Sequence, residues 1–266
     1  MSGSQPHKSN SIAMNEWMYN TVRDLDQQIV ERLRRFPREP DMTVYGLRAL
    51  AALGIRAWLR VYHDFMVIGQ EHLPRQGSFV MVANHTSHLD TLAMLSTIPL
   101  RRLHRIFPAA AADYFFTSVP RSLAAAVLIN ALPFDRQAHP QQSLSYCKTL
   151  LADCGNALII FPEGTRSTTG EIGAFKRGIG LLLAGTDVPV LPCHITGAFE
   201  AWPKGSTLPR PGPIRLRIGA PRNYAALRPG KEAALHICQE LRQAVLELAT
   251  LNRTKLGPNA TFTRGE

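Results

Sequence analysis

"SFVMVANHTSHLD", residues 78–90, sets a short apolar run directly before seven positions that hold an Asn, two His, a Ser and an Asp. The first half, "SFVMVA" (78–83), reads as a buried β-strand. The second, "NHTSHLD" (84–90), reads as a turn into a helix start. Were His85 and Asp90 both inside one regular helix, five residues would rotate them roughly 140° apart, and the carboxylate could not reach the ring. His85 is therefore expected at the strand-to-helix turn, with Asp90 in the first helical turn reaching back. There Asp90 would accept a hydrogen bond from one ring nitrogen and fix the tautomer, leaving the other nitrogen free to take a proton: a general base with its orienter. The same residues also suit a second reading, in which Asn84, His85 and Asp90 only tidy a turn and cap a helix. A metal site on His85, His88 and Asp90 finds no supporting cluster of His or Cys at ligand spacing. A serine nucleophile would want a strained elbow, and no G-x-S-x-G occurs in the chain. Ser87 reads as a capping hydroxyl.

Working outward, further apolar runs read as strands: "AVLINALPF" (126–134), "ALIIF" (157–161), "VPVLPC" (188–193) and "IRLRIG" (214–219). Helical patterns lie between and after them at 141–153, 175–184 and 231–251, with Gly185 placed to end the second. Strand and helix alternating in this way predict one α/β domain around a largely parallel, mixed sheet flanked by helices. The carboxyl edge of such a sheet is where ligands bind, and a second polar motif falls there: "FPEGTRS" (161–167), straight after "ALIIF". Gly164 permits close backbone approach, Thr165 offers a hydroxyl, and Arg166 offers a planar fork for phosphate oxygens. A solvated Pro-Gly turn is the plainer reading of the same residues. "LPFDRQ" adds Arg136, and "AFKRGIG" adds Lys176 and Arg177 at a helix start, where cations oppose the helix dipole and so suggest another use. "VPVLPCHITG" sets a strand between prolines.

Upstream lie two amphipathic helices. The first repeats Met18, Val22, Leu25, Ile29, Leu33 and Phe36; the second, within "TVYGLRALAALGIRAWLRVYHDF", gathers Val44, Leu47, Ala51, Gly54, Trp58, Val61, Tyr62 and Phe65 on one face, with Arg48, Arg56 and Arg60 on the other. That second helix suits either an in-plane membrane anchor, with guanidinium groups near lipid phosphates, or a cap on a soluble core. Thirty Lys and Arg against twenty Asp and Glu give a net charge of +10, which fits an anionic partner: nucleic acid, an anionic membrane surface or a phosphorylated substrate. Four cysteines without metal spacing, and no signal-peptide pattern ahead of them, predict buried or inert thiols in a reduced compartment. The apolar stretch Ser122 to Phe134 runs for 13 residues without a charge, short of a membrane span.

His-x4-Asp within "NHTSHLD", then "FDR", "FPEGTRS" and "VPVLP", in this order and at these intervals, resemble the glycerolipid acyltransferase family, whose best-known members are the 1-acylglycerol-3-phosphate acyltransferases. The resemblance runs from about residue 70 to 225. It implies a catalytic dyad of His85 and Asp90. It further implies an acceptor glycerol-phosphate site of Arg136, Glu163, Gly164, Thr165 and Arg166 with Lys176 beside it, and an acyl-donor side shaped by Pro192 and its neighbours. "NALP" before the second motif, where the family often has a glycine, and Cys193 after the fourth bear on substrate preference. The resemblance further implies an O-acyltransferase of phospholipid biosynthesis. It would move a fatty acyl group from acyl-CoA or acyl-carrier protein to lysophosphatidic acid, with no metal and no cofactor, at the cytoplasmic face of a membrane. The expected organisation is a disordered segment 1–12, amphipathic helices 13–68, the acyltransferase domain 69–252 and a flexible tail 253–266. The alternatives are acyl transfer to another lysolipid or an amino-acid lipid, a lipid-binding protein without catalysis, and a nucleic-acid module. Arginines that follow strand ends singly, without interleaved aromatics, speak against the last, so no nucleic acid is expected as a partner.

Overall fold

The computed structural model describes residues 42–111, 128–134 and 140–255. Residues 1–12, the expected helix over 14–36, Arg136 and the tail beyond Lys255 lie outside them.

Strand β2 (Phe79–Ala83) is buried along its whole length, and its side chains alternate between two cores. Phe79, Met81 and Ala83 enter one, while Val80 and Val82 enter the other. A strand apolar on both faces needs a cover on each, and helices provide it. On the first face lie α1 (Met42–Tyr62), α2 (Leu89–Ser96) and the short α5 (Ala198–Ala201). On the second lie α3 (Pro140–Ala152), α4 (Gly178–Leu183) and α6 (Lys231–Lys255). The remaining strands are β1 (Met66–Ile68), β3 (Ile106–Ala111), β4 (Leu132–Phe134), β5 (Ala157–Ile160), β6 (Val190–Thr196) and β7 (Arg215–Ile218). They form one sheet in the order β1-β7-β6-β2-β5-β3-β4. All neighbours pair parallel except β6 and β7. The predicted α/β domain with a largely parallel, mixed sheet is the fold observed.

Two strands were not anticipated. β3 reads "IFPAAA", and its proline and alanines hide the β pattern; β1 is three residues at the sheet edge. The strand expected over 126–134 shortens to β4 among the described residues. Asn130 is the reason: it takes φ +52°, and its side-chain amide donates to the carbonyls of His104 and Ile106, tying the chain to the start of β3.

Helix α1 turns Arg48 and Arg56 toward the domain. Arg48 is 4% exposed, whereas Leu50 is 69% and Val61 86% exposed, with Leu47 and Leu53 also outward. Arg56 donates to the carbonyl of Ile98, just past the end of α2, where helical carbonyls lack intrahelical partners. Arg48 packs against the Tyr45 ring at 5.9 Å. Burial lowers both guanidinium pKa values. Periodicity finds such a stripe but not which side meets the domain, because arginine can satisfy buried carbonyls through its fork while its stem packs.

Candidate active site

Strands β2 and β5 are parallel neighbours, and Val82 pairs with Ile160. That register brings both motif loops out side by side at the carboxyl edge of the sheet. The chain leaving β2 turns to the first face, into α2; the chain leaving β5 turns to the second, into α4. Such a divergence opens a crevice between neighbouring strands.

His85 lies in the turn and Asp90 in the first turn of α2. His85 Nδ1 is 3.0 Å from Asp90 Oδ2. The same oxygen accepts the backbone N–H groups of Thr86 (2.6 Å) and Ser87 (2.8 Å). Asp90 is fully buried, and its Oδ1 has no partner among the described residues. Two main-chain donors fix this oxygen against the imidazole. With Nδ1 so engaged, Nε2 is the nitrogen left open to the cavity that His85 lines. Asn84 is a structural tie: its amide exchanges hydrogen bonds with both backbone groups of Ile195, joining the end of β2 to β6. Ser87 Oγ accepts the N–H of Leu89, as a cap does, and also donates to the carbonyl of Trp202 at 2.8 Å.

The second loop wraps the first. Phe161 stacks on the His85 ring, with centroids 4.0 Å apart. Glu163 accepts the His85 N–H through Oε1 (2.8 Å) and the Gly173 N–H through Oε2 (3.0 Å). Ser167 donates its N–H to the His85 carbonyl at 2.8 Å. His85 is thus gripped at its ring and at both backbone polar groups. Glu163 is buried, its pKa is raised by that burial, and it does not line the cavity. Gly164 takes φ +75°, and a Cβ there would come within 2.7 Å of Lys176 Nζ. The glycine therefore supplies both a left-handed turn and the slot over which the Lys176 stem passes.

A cavity of about 330 Å³ adjoins His85. Its apolar wall includes Leu144 and Cys147 from α3 and Ile179 and Leu182 from α4, with Phe134 and Ile160. Its polar wall includes His88, Thr91, Thr165, Arg166, Lys176 and Lys204, with no Asp or Glu among the described lining residues. His88 is held near pKa 4 by burial, with Arg166 and His85 pushing the same way, so it is neutral at pH 7. Of the residues singled out from sequence, His85, Gly164, Thr165, Arg166 and Lys176 share this cavity. Pro192 does not line it: it is buried in β6, where its carbonyl accepts the Gly219 N–H. Lys204 and the helical lining residues were missed. For Lys204 the available signal was position, since β6 ends at the same sheet edge as β2; for α3 and α4 it was only an apolar stripe, which reads as ordinary core. Burial raises the Cys147 thiol to about 12. Cys193 and Cys238 are buried too, and Cys154 is exposed.

The Acyltransferase family model matches residues 64–196, half of the chain and the part that carries both motifs. A 1-acyl-sn-glycerol-3-phosphate acyltransferase of Chlamydomonas reinhardtii is 32% identical over 188 residues, 69% of this chain and 52% of that protein. A chloroplastic 1-acyl-sn-glycerol-3-phosphate acyltransferase of Arabidopsis thaliana is 30% identical over 70% of this chain and 49% of its own length. The chain therefore spans about half the length of these curated relatives. The crystal structure of the 1-acyl-sn-glycerophosphate acyltransferase PlsC from Thermotoga maritima shares the fold, with a TM-score of 0.62 at 24% identity over 90% of each chain. By the family match across both motifs, this chain belongs to the Acyltransferase family.

Proposed function

We propose that this protein is an O-acyltransferase that moves a fatty acyl group from a thioester donor, acyl-CoA or acyl-carrier protein, to the free hydroxyl of lysophosphatidic acid. The observation that carries this reading is the oriented imidazole of His85 beside a cavity that is apolar on one wall and cationic on the other. His85 Nε2 removes the proton of the acceptor hydroxyl as its oxygen attacks the thioester carbonyl. The tetrahedral oxyanion collapses, the carbon–sulfur bond breaks, and the thiolate leaves with the proton returned by the imidazolium. A thiolate leaves readily, so the step needs no metal and no acyl-enzyme. Asp90 keeps the imidazole in the useful tautomer and stabilises its protonated form.

Arg166 and Lys176 would hold the acceptor phosphate, with Thr165 and the Gly164 backbone beside them; Arg136 is assigned there by motif alone. The wall of Leu144, Cys147, Ile179 and Leu182 would take the acyl chain. Glu163 acts on the His85 backbone and so serves as a positioning residue. Pro192 acts at most through the packing of β6.

The membrane surface enters through α1. Among the described residues no helix is long and apolar enough to cross a bilayer. The outward stripe of Leu47, Leu50, Leu53 and Val61 suits a helix lying in the interface, at the cytoplasmic face. Arg60, not Arg48 or Arg56, is then the arginine of that helix placed to meet lipid phosphate. A general base contributes about 10² to 10⁴ in rate, so holding two amphiphiles in register must contribute much of the remainder. The test offers labelled acyl-CoA and acyl-carrier protein against lysophosphatidic acid, neutral lysolipids and amino-acid lipids. Preferred conversion of lysophosphatidic acid is expected; preference for another acceptor would move the activity to that lipid.

A further inference from the structure

The cavity has a third cation that neither motif contributes. Lys204 reaches the cavity from the segment after α5, on the first face of the sheet, whereas Arg166 and Lys176 come from the β5 loop and its extension toward the second. The two groups therefore approach from opposite sides of the sheet edge on which His85 sits.

Lys204 is also held. Ser206 donates its N–H to the Pro203 carbonyl at 3.1 Å, closing a tight turn whose central residues are Lys204 and Gly205. Gly205 takes φ +97°, the left-handed value that such a turn requires at its second central position. The Trp202 indole donates to the Ser206 carbonyl at 3.0 Å, and Arg210 donates its N–H to the Ala201 carbonyl at 2.7 Å. This closed turn is fastened to the histidine motif at three points. Ser87 Oγ donates to the Trp202 carbonyl, Ser87 forms a β-bridge with Pro203, and the Trp202 ring meets the His88 ring at 5.6 Å. A lysine on an ordinary surface turn is solvated and mobile. The turn that bears this one is tied to Ser87 and His88, in the motif that carries His85.

We propose that Lys204 is a specificity-determining residue whose ammonium binds the phosphate of the acceptor lipid, opposite Arg166 and Lys176. The inference rests on the acyltransfer reading given above and adds a residue to its acceptor site. Two sources of phosphate are available, the acceptor and a phosphopantetheine-bearing donor. In the acceptor, the reacting hydroxyl and the phosphate sit on neighbouring carbons of one glycerol, so both fit within a cavity of this size. In the donor, a whole pantetheine arm separates the thioester from the nearest phosphate. A cation that shares the cavity with His85 is placed for the first. Lysine is a point charge with a long stem and suits a phosphate approached from one side, while the Arg166 fork grips from the other.

The test uses the full chain in mixed detergent micelles, as Lys204→Ala and Lys204→Arg. Lys204 is exposed, so folding should be unaffected. Loss of one charge-assisted contact should raise the KM for lysophosphatidic acid about 5- to 20-fold, with kcat and the donor KM little changed and Lys204→Arg largely restored. A neutral monoacylglycerol acceptor should show no such change. An unaltered acceptor KM would overturn the proposal, and a raised donor KM would reassign the cation to the donor and overturn it equally. Calorimetric binding of lysophosphatidic acid, without donor, separates the two levels of inference. If the wild-type protein binds it and Lys204→Ala binds several-fold more weakly, the residue's role stands even where turnover is absent and the acyltransfer reading falls. Equal affinities would end it even where turnover is robust.

Discussion

Two carboxylates, Asp90 and Glu163, are buried at the same sheet edge, and both accept backbone N–H groups. Asp90 also accepts from the His85 ring; Glu163 touches only the main chain. The difference separates tuning a base from placing it. Asp90 chooses which imidazole nitrogen faces the cavity, while Glu163 fixes where the residue that bears it sits. A motif reading treats both as site residues, and burial alone does not divide them; what each oxygen contacts does.

The comparison breaks first at Asp90. Replacing it with Asn keeps one acceptor oxygen for the three donors and puts the amide where Oδ1 has no partner among the described residues, so the fold should survive. The charge facing the imidazolium is lost, and kcat should drop about 10²- to 10⁴-fold. Steady-state kinetics with a circular-dichroism control reads it; a decline under threefold would remove Asp90 from the chemistry. Glu163→Gln should cost less. Glutamine offers one acceptor and one donor to two N–H groups, so one hydrogen bond becomes a clash. We expect a loss of about 1 to 3 kcal/mol in stability and about tenfold in kcat, with KM for the acceptor unchanged. A rise in KM alone would return Glu163 to substrate binding.

Arg166→Ala sharpens the contrast from the other side, since its effect should lie in KM for phosphorylated acceptors, about tenfold, with kcat preserved. Leu50→Glu, on the outward stripe of α1, should weaken co-sedimentation with anionic vesicles severalfold while sparing turnover of micellar substrate. Unchanged vesicle binding would place the membrane contact elsewhere.

Burial holds His194 near pKa 4 against an ordinary 6.5, with Asp90 opposing and Arg217 assisting. The unfolded chain takes up the proton first, so this contribution is complete above about pH 6.5 and is lost as pH falls toward 4. The full span corresponds to about 3 kcal/mol. Urea unfolding from pH 7 to 4 should show that loss together with the like contribution of His88, and His194→Gln should lessen the slope by its own share; an identical slope in the variant would assign the loss to other groups.

Much of this architecture could be read from residue order. The strands around both motifs, the helices after β2 and β5, and the return of Asp90 toward His85 follow from spacing and from the 3.6-residue period. What escaped did so for physical reasons. The Pro108 strand breaks the β pattern, and Asn130 shortens β4 through side-chain bonds that no periodicity encodes. The arginines of α1 turn inward because carbonyls at the end of α2 need donors, a tertiary fact. The resemblance placed Glu163 among the acceptor ligands, and sequence does not show the N–H groups of His85 and Gly173 that its carboxylate accepts. The contact between the two motifs, through Phe161, Glu163 and Ser167, depends on the register of β2 against β5, which the strand sequences do not reveal.

The central claim is that Nε2 of His85, presented by Asp90, takes the acceptor proton. It is tested most directly by comparing wild-type protein with His85→Ala for phosphatidic acid formed from an acyl thioester and lysophosphatidic acid, alongside the affinity of each for the acceptor. Wild-type turnover, with the variant reduced at least a hundredfold and its acceptor affinity intact, is the predicted result. Near-normal turnover by His85→Ala would contradict the account.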